Sequence, residues 1–350
     1  MVQLPRVLSP LGTLLAALWG VFLLTAPAVP AAPFAYITNL GSNTVSVLDT
    51  ATNIVTAIVP AGGGGFPESI AVNPTGTRVY VTSYPGLNAG VGNGTLSVIA
   101  TATNAVIATV PVQLGPPRVA VNPADTRVYV ANAGSNTVSV INTASNSVIA
   151  TVPVESFPLG IAVNPAGTRV YVANVLSHSV TVIDTATNTS IATIAVGLSP
   201  RDVAVDPTTS RAYVTNSGAN TVSVIDTACN SVIRTVAVGQ APFGIAVNPA
   251  GTRVYVANAA SAGAAGAQNV SVIDTISGTV IATVGTATQP LDVAVNPAGT
   301  RIYVANGPFQ TVSVIDAATN TVMDAFPVGG DRPSGISFAS GLASPVPVVR

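Results

Sequence analysis

His178, the only histidine, and Glu155 are the one pair in this 350-residue chain from which a general base with a carboxylate partner can be drawn. A loop histidine needs no such role, and a single histidine argues against a histidine-rich zinc or haem site. A larger set mixes both signs of charge: Glu68, Arg118, Glu155, Arg201, Asp202, Gln240, Gln289, Asp292, Asp331 and Arg332. Gathered at one place, such residues suit a small polar ligand; solvated loop positions are the plainer alternative. Phe66, Tyr84, Phe157, Phe243 and Phe309 lie near the same stretches and add apolar or stacking surface. Aromatics in loops point to a partner more strongly than aromatics in strands. Calcium on the acidic loop residues is the one metal reading, without a contiguous oxygen-ligand motif behind it. No P-loop, GxSxG, paired CxxC or Rossmann fingerprint occurs. No cofactor is therefore expected, and a non-catalytic protein is the leading expectation. Cys229 stands where neighbouring units have Thr or Ser, and reads as a small turn residue.

What positions these residues follows from composition and repetition. Charged residues make up 7% of the chain, against roughly 25% in an ordinary soluble domain, so an unusually large share must be buried. All twelve basic residues are Arg and the formal net charge is -1. Neither nucleic acid nor a polycation is advertised by that balance. The first 31 residues carry one Arg, an apolar run from about Leu11 to Leu24 and a small-residue end. They read as a secretory signal peptide cleaved near Ala28 or Ala31, which places the protein in the periplasm, at the cell surface or in the medium. With one cysteine, no intramolecular disulfide can staple the exported chain.

Tyr36, Tyr80, Tyr129, Tyr171, Tyr213, Tyr255 and Tyr303 recur 42 to 49 residues apart, the period of a four-stranded propeller blade. Each unit holds four short runs rich in Val, Ile, Thr and Tyr, bounded by Pro, Gly and Asn, which are strand signals. In order they are strand a (GIAV-like, entered from a Pro), strand b (RVYVAN-like), strand c (TVSVIDT-like) and strand d (SVIATVPV-like). Outer-membrane strands need about 9 to 11 residues, longer than these, and a parallel β-helix lacks the four-strand grammar. The fold expected is all-β: a seven-bladed β-propeller of four-stranded antiparallel blades over residues 34–338, followed by a tail, 339–350. Its ring closes when the last inner strand, 335–338, pairs with the first three strands and removes the free edge. Six arginines, Arg78, Arg127, Arg169, Arg211, Arg253 and Arg301, open strand b, and Asp49, Asp184, Asp226, Asp274 and Asp316 close strand c. Antiparallel pairing sets each Arg beside the Asp of its own blade, so structural ion pairs are expected there.

The YVTN, YVAN and SVIDTATN elements resemble the YVTN-family β-propeller repeats of prokaryotic surface-layer and periplasmic proteins. That resemblance covers nearly all of the chain beyond the signal segment and implies the ring architecture rather than an activity. The leading expectation is an exported, monomeric binding scaffold of the cell envelope, presenting its variable b–c and d–a loops to a protein, a glycan or a small ligand. Two insertions, 82–95 and 258–269, fall in the b–c loops. The alternative is a lactonase- or lyase-type enzyme with its site at the channel mouth; single-stranded nucleic-acid binding is the weaker one, for want of a basic groove.

Overall fold

The computed structural model describes residues 34–339, apart from 64, 85–92, 261–267 and 287–288. The segment expected to be a signal peptide, the tail from 340 and the middles of both insertions lie outside the described residues. Seven four-stranded antiparallel sheets form the blades of a β-propeller. Blade 1 takes its inner strand a, Pro333–Phe338, from the far end of the chain, followed outward by Phe34–Asn39, Thr44–Asp49 and Ile54–Pro60. Tyr36 faces Ser337 and Ile37 faces Ile336 in that ladder, so the ring closes as expected, with the strand starting two residues earlier than the sequence suggested. Inner strands of blades 2 to 7 are Phe66–Val72, Arg118–Val121, Pro158–Val163, Pro200–Val205, Pro242–Val247 and Pro290–Val295.

Strands b and c are buried on both faces because each blade lies between two others. One core cluster joins Tyr129, Val138, Val140 and Val152 of blade 3 to Ile161, Val170, Val172 and Ile183 of blade 4. Equivalent clusters join the other blades round the ring. Each buried aliphatic contributes about 1.5–3 kcal/mol relative to an exposed one, so the interfaces rather than the single sheets carry stability. The b-strand Asn adds a polar lock within the blade. Asn216 donates from Nδ2 to Thr221 at 3.1 Å and to Ser223 at 2.9 Å, and Asn39, Asn132, Asn174, Asn258 and Asn306 do the same on their own c strands.

The expected in-blade Arg–Asp ion pairs do not form. Register sets Arg211 opposite Asp226, yet the Arg reaches the next blade. Its Nη1 donates to the Thr275 carbonyl at 2.8 Å, as Arg78 does to Thr143 at 2.6 Å and Arg301 to Thr50 at 2.9 Å. Arg127 bonds the Thr185 carbonyl likewise. Asp instead caps its own c–d turn: Asp184 Oδ1 accepts from the Ala186 and Thr187 amides at 3.0 and 2.9 Å. Those amides hold its carboxyl below the usual range. A charged donor bonded to a carbonyl outweighs an exposed ion pair, which contributes about 0–1 kcal/mol. Arg211→Ala should accordingly lower the unfolding free energy by about 1.5 kcal/mol in urea titration. Asp226→Asn, which keeps a capping oxygen, should cost clearly less; equal losses would restore the in-blade pair.

Candidate functional site

In blades 1, 3, 4, 5 and 6 the entry to the inner strand is a left-handed corner just before its proline. Phe157, Ser199, Ala241 and Arg332 have φ of 59, 52, 47 and 52°, a region uncommon for residues other than Gly. The preceding blade holds these corners. Asn136 Oδ1 accepts from the Phe157 amide at 2.8 Å, and Asn220 Oδ1 from the Ala241 amide at 2.9 Å. His178 occupies the same position in blade 4, its Nδ1 accepting from the Ser199 amide at 3.0 Å. The ring nitrogen a general base would use is thus engaged in bracing a loop. No hydrogen bond or ion pair joins His178 to Glu155 among the described residues, and Glu155 is exposed. The base-and-carboxylate reading of this pair is replaced by a structural one.

Two residues beyond each proline, the inner strands come closest together at the mouth of the central channel. This position reads Ser69, Gly160, Asp202, Gly244, Asp292 and Gly335 in blades 2, 4, 5, 6, 7 and 1, with Arg118 in blade 3. Arg118 reaches to both carboxylates: Nη2 is 3.2 Å from Asp202 Oδ2 and Nη1 is 3.3 Å from Asp292 Oδ2. These are the only ion pairs among the described residues, and they tie blade 3 to blades 5 and 7. Backbone amides complete the shell, Val203 donating to Asp202 Oδ1 and Ile336 to Asp292 Oδ2, each at 3.0 Å. Burial works against the charge on Arg118, but Asp202 and then Asp292 outweigh it and raise its pKa. Burial pushes Asp202 up to about 6, against the pull of Arg118 and with the charge of Asp292 adding to the rise.

Beside this bridge is a cavity of about 270 Å³, roomy enough for several waters or a small ligand. Glu68, Arg118, Arg201, Asp202 and Arg332 line it with Tyr84, Phe243, Leu40, Pro117, Leu159, Leu291 and Ser334. Arg201 lies over the Phe243 ring, 3.6 Å from its centroid, a cation–π contact. Burial lowers the pKa of Arg201, partly offset by Glu68. Tyr84 lines the cavity beside Glu68, and the two groups interact electrostatically. Burial pushes the Glu68 carboxyl up, opposed by Arg118, Tyr84, Arg201 and Arg332.

The remaining sequence candidates lie elsewhere. Gln240 and Asp331 are exposed, Asp331 accepting from Gln310 Nε2 at 3.1 Å, and Gln289 donates to the Ala259 carbonyl at 3.3 Å. Phe157 and Phe309 are exposed and line no part of the cavity, while Phe66 packs against Tyr84 with ring centroids 6.4 Å apart. Sequence reasoning missed Leu40, Pro117, Leu159, Leu291 and Ser334. The last four share the position just after the inner-strand proline with Glu68, Arg201 and Phe243, and aligning that column would have found them. Calcium fits poorly here, because both floor carboxylates are already taken by Arg118.

Comparison with known proteins adds fold-level likeness. No family model matches the chain, and no curated protein matches it in sequence. Among solved structures, a functionally unknown protein from Desulfotomaculum acetoxidans aligns with a TM-score of 0.74 at 18% identity, covering 88% of this chain and 99% of that one. A candidate 6-phosphogluconolactonase from Bacteroides fragilis aligns with a TM-score of 0.72 at 16% identity, covering 89% and 99%. Hydrazine synthase of Kuenenia stuttgartiensis aligns with 0.69 at 21%, covering 77% and 89%. What is shared is the propeller fold.

Removing Arg118 leaves two buried carboxylates facing each other without a cation. Arg118→Met should cost about 3–5 kcal/mol in urea unfolding near neutral pH, and the loss should shrink in acid as those carboxylates take protons. Asp202 itself has a folded pKa above its usual 3.8. The stability it contributes is therefore complete below that value and falls as pH rises through about 6. Asp202→Asn should flatten this part of the pH–stability curve; an unchanged slope would assign it to another group. His178→Asn should leave thermal stability intact, since Asn does the same work at 136 and 220, whereas His178→Ala should lower it.

Proposed function

We propose that this protein is an exported binding propeller whose working part is the cup at the channel mouth, taking a small polar molecule. One observation carries the reading: residues that break the repeat, contributed by five or more different blades, converge on a single cavity beside a cross-channel ion pair. Blade-to-blade packing gives no reason for charged and aromatic side chains from distant parts of the chain to gather there, whereas a concave apolar pocket with a few polar groups is what a ligand requires. The variable loops around the cup then serve as the surface met by a cell-envelope protein or glycan.

A second reading, an enzyme of lactonase type, draws on the neighbouring Tyr84 and Glu68 in the cup and on the fold shared with candidate 6-phosphogluconolactonases from Bacteroides fragilis and Bacteroides uniformis. A carboxyl raised by burial beside a phenol is a plausible acid–base pair. Turnover of 6-phosphogluconolactone that is lost in Glu68→Gln would favour it over simple binding.

Leu159→Trp fills the cup from blade 4. Ligand-observed NMR with a library of small polar metabolites should find binders to the wild type whose signals no longer respond with Leu159→Trp. Binders indifferent to that substitution, or none at all, would contradict a ligand site in the cup.

A further inference from the structure

Three guanidinium groups reach the cup, and they are not equivalent. Arg118 is saturated by Asp202 and Asp292. Arg201 and Arg332 have no carboxylate within 4 Å among the described residues, and the face of Arg201 turned to Phe243 is an aromatic one. The nearby acid is Glu68, which feels all three arginines and Tyr84. The partly buried guanidinium of Arg201, left without an anion, is an unfavourable arrangement that a bound anion would relieve, and the exposed Arg332 at the rim is free to meet the same charge. Leu159 and Leu291 give the same cavity an apolar wall beside the Phe243 ring.

We propose that the cup takes a small organic anion, its carboxylate or phosphate group on Arg201 and Arg332 and its apolar body against Phe243 and the two leucines. The proposal rests on the cup being the ligand site and names the chemistry of what enters it. Glu68 is the group the anion works against, since both negative charges address the same two arginines. Charged or titratable groups facing Glu68 are Arg118, Arg201, Arg332 and Tyr84, with Asp202 and Asp292 beyond Arg118. An anion arriving at Arg201 removes part of the attraction that favours the ionised form of Glu68, so binding raises the Glu68 pKa further and is coupled to proton uptake there. Anion affinity should then rise as pH falls, because burial has already biased Glu68 toward its neutral form.

Titration calorimetry on the whole protein with three probes of similar shape tests this: phenylacetate, phenyl phosphate and neutral phenylacetamide. At least one anion should bind and the amide should bind at least tenfold more weakly; the tighter of the two anions identifies the carboxylate or the phosphate as the recognised group. Arg201→Gln and Arg332→Gln should each weaken it by roughly tenfold or more with little change in melting temperature, since neither side chain holds the fold together. Between about pH 8 and pH 6, where phenylacetate keeps its charge, wild-type affinity should increase and Glu68→Gln should bind with no such slope. Equal binding of amide and anions, or anion binding indifferent to Arg201 and Arg332, overturns the anion while leaving a ligand cup in place. No probe binding, together with no metabolite sensitive to Leu159→Trp, overturns both.

Discussion

Each blade has two apolar faces and can bury them only against its neighbours. From that constraint follow the scarcity of charge, the recurrence of the same Tyr, Val and Ile at equivalent places, and the need to close the ring. Pairing Pro333–Phe338 with Phe34–Asn39 supplies the last interface, without which two blade faces would meet water. Even the repeated arginines serve the packing, Arg78, Arg127, Arg211 and Arg301 each binding a carbonyl in the adjacent blade's c–d turn. Stability is thus spread round the ring, which frees the centre to vary.

At the centre the crowding is greatest, and it explains why GIAVNPAGTRVYVAN, which occurs identically at 160–174 and 244–258, opens on Gly in both copies. The copies begin at Gly160 and Gly244, in the blades preceding those that bear Asp202 and Asp292. A Cβ on Gly160 would lie 2.5 Å from the Asp202 Cα, and one on Gly244 would lie 2.6 Å from the Asp292 Oδ1. Each Asp therefore needs a Gly beside it, and with that allowance both carboxylates can turn inward to Arg118. The inner column consequently alternates bare and acidic positions through blades 4 to 7. Departures from sameness gather where the strands meet, and a cup with charged walls results.

Blade count, strand order and ring closure were legible because a two-sided buried strand repeats its pattern every blade. Sequence could also single out Glu68, Arg118, Arg201, Asp202, Asp292 and Arg332 as breaks in the repeat. It could not say which would meet, since Arg118 and Asp292 are brought together only by closure of the whole ring. His178 misled for the opposite reason. Its rarity suggested chemistry, whereas its left-handed φ of 50° matches that of Asn136 and Asn220 at the same turn position, and its job is theirs. The Arg–Asp expectation failed because ladder register places side chains opposite one another without deciding which way a long side chain turns. Leu159 and Leu291 went unnoticed because an apolar residue among apolar neighbours carries no local signal.

The most direct test of the account is a crystal structure of the protein soaked in sodium bromide, with anomalous diffraction locating the ions. The account requires the Arg118 guanidinium between Asp202 and Asp292 and a bromide in the cup against Arg201 and Arg332. An open channel with Arg118 turned away from both carboxylates, or bromide bound around the rim with none in the cup, would contradict it.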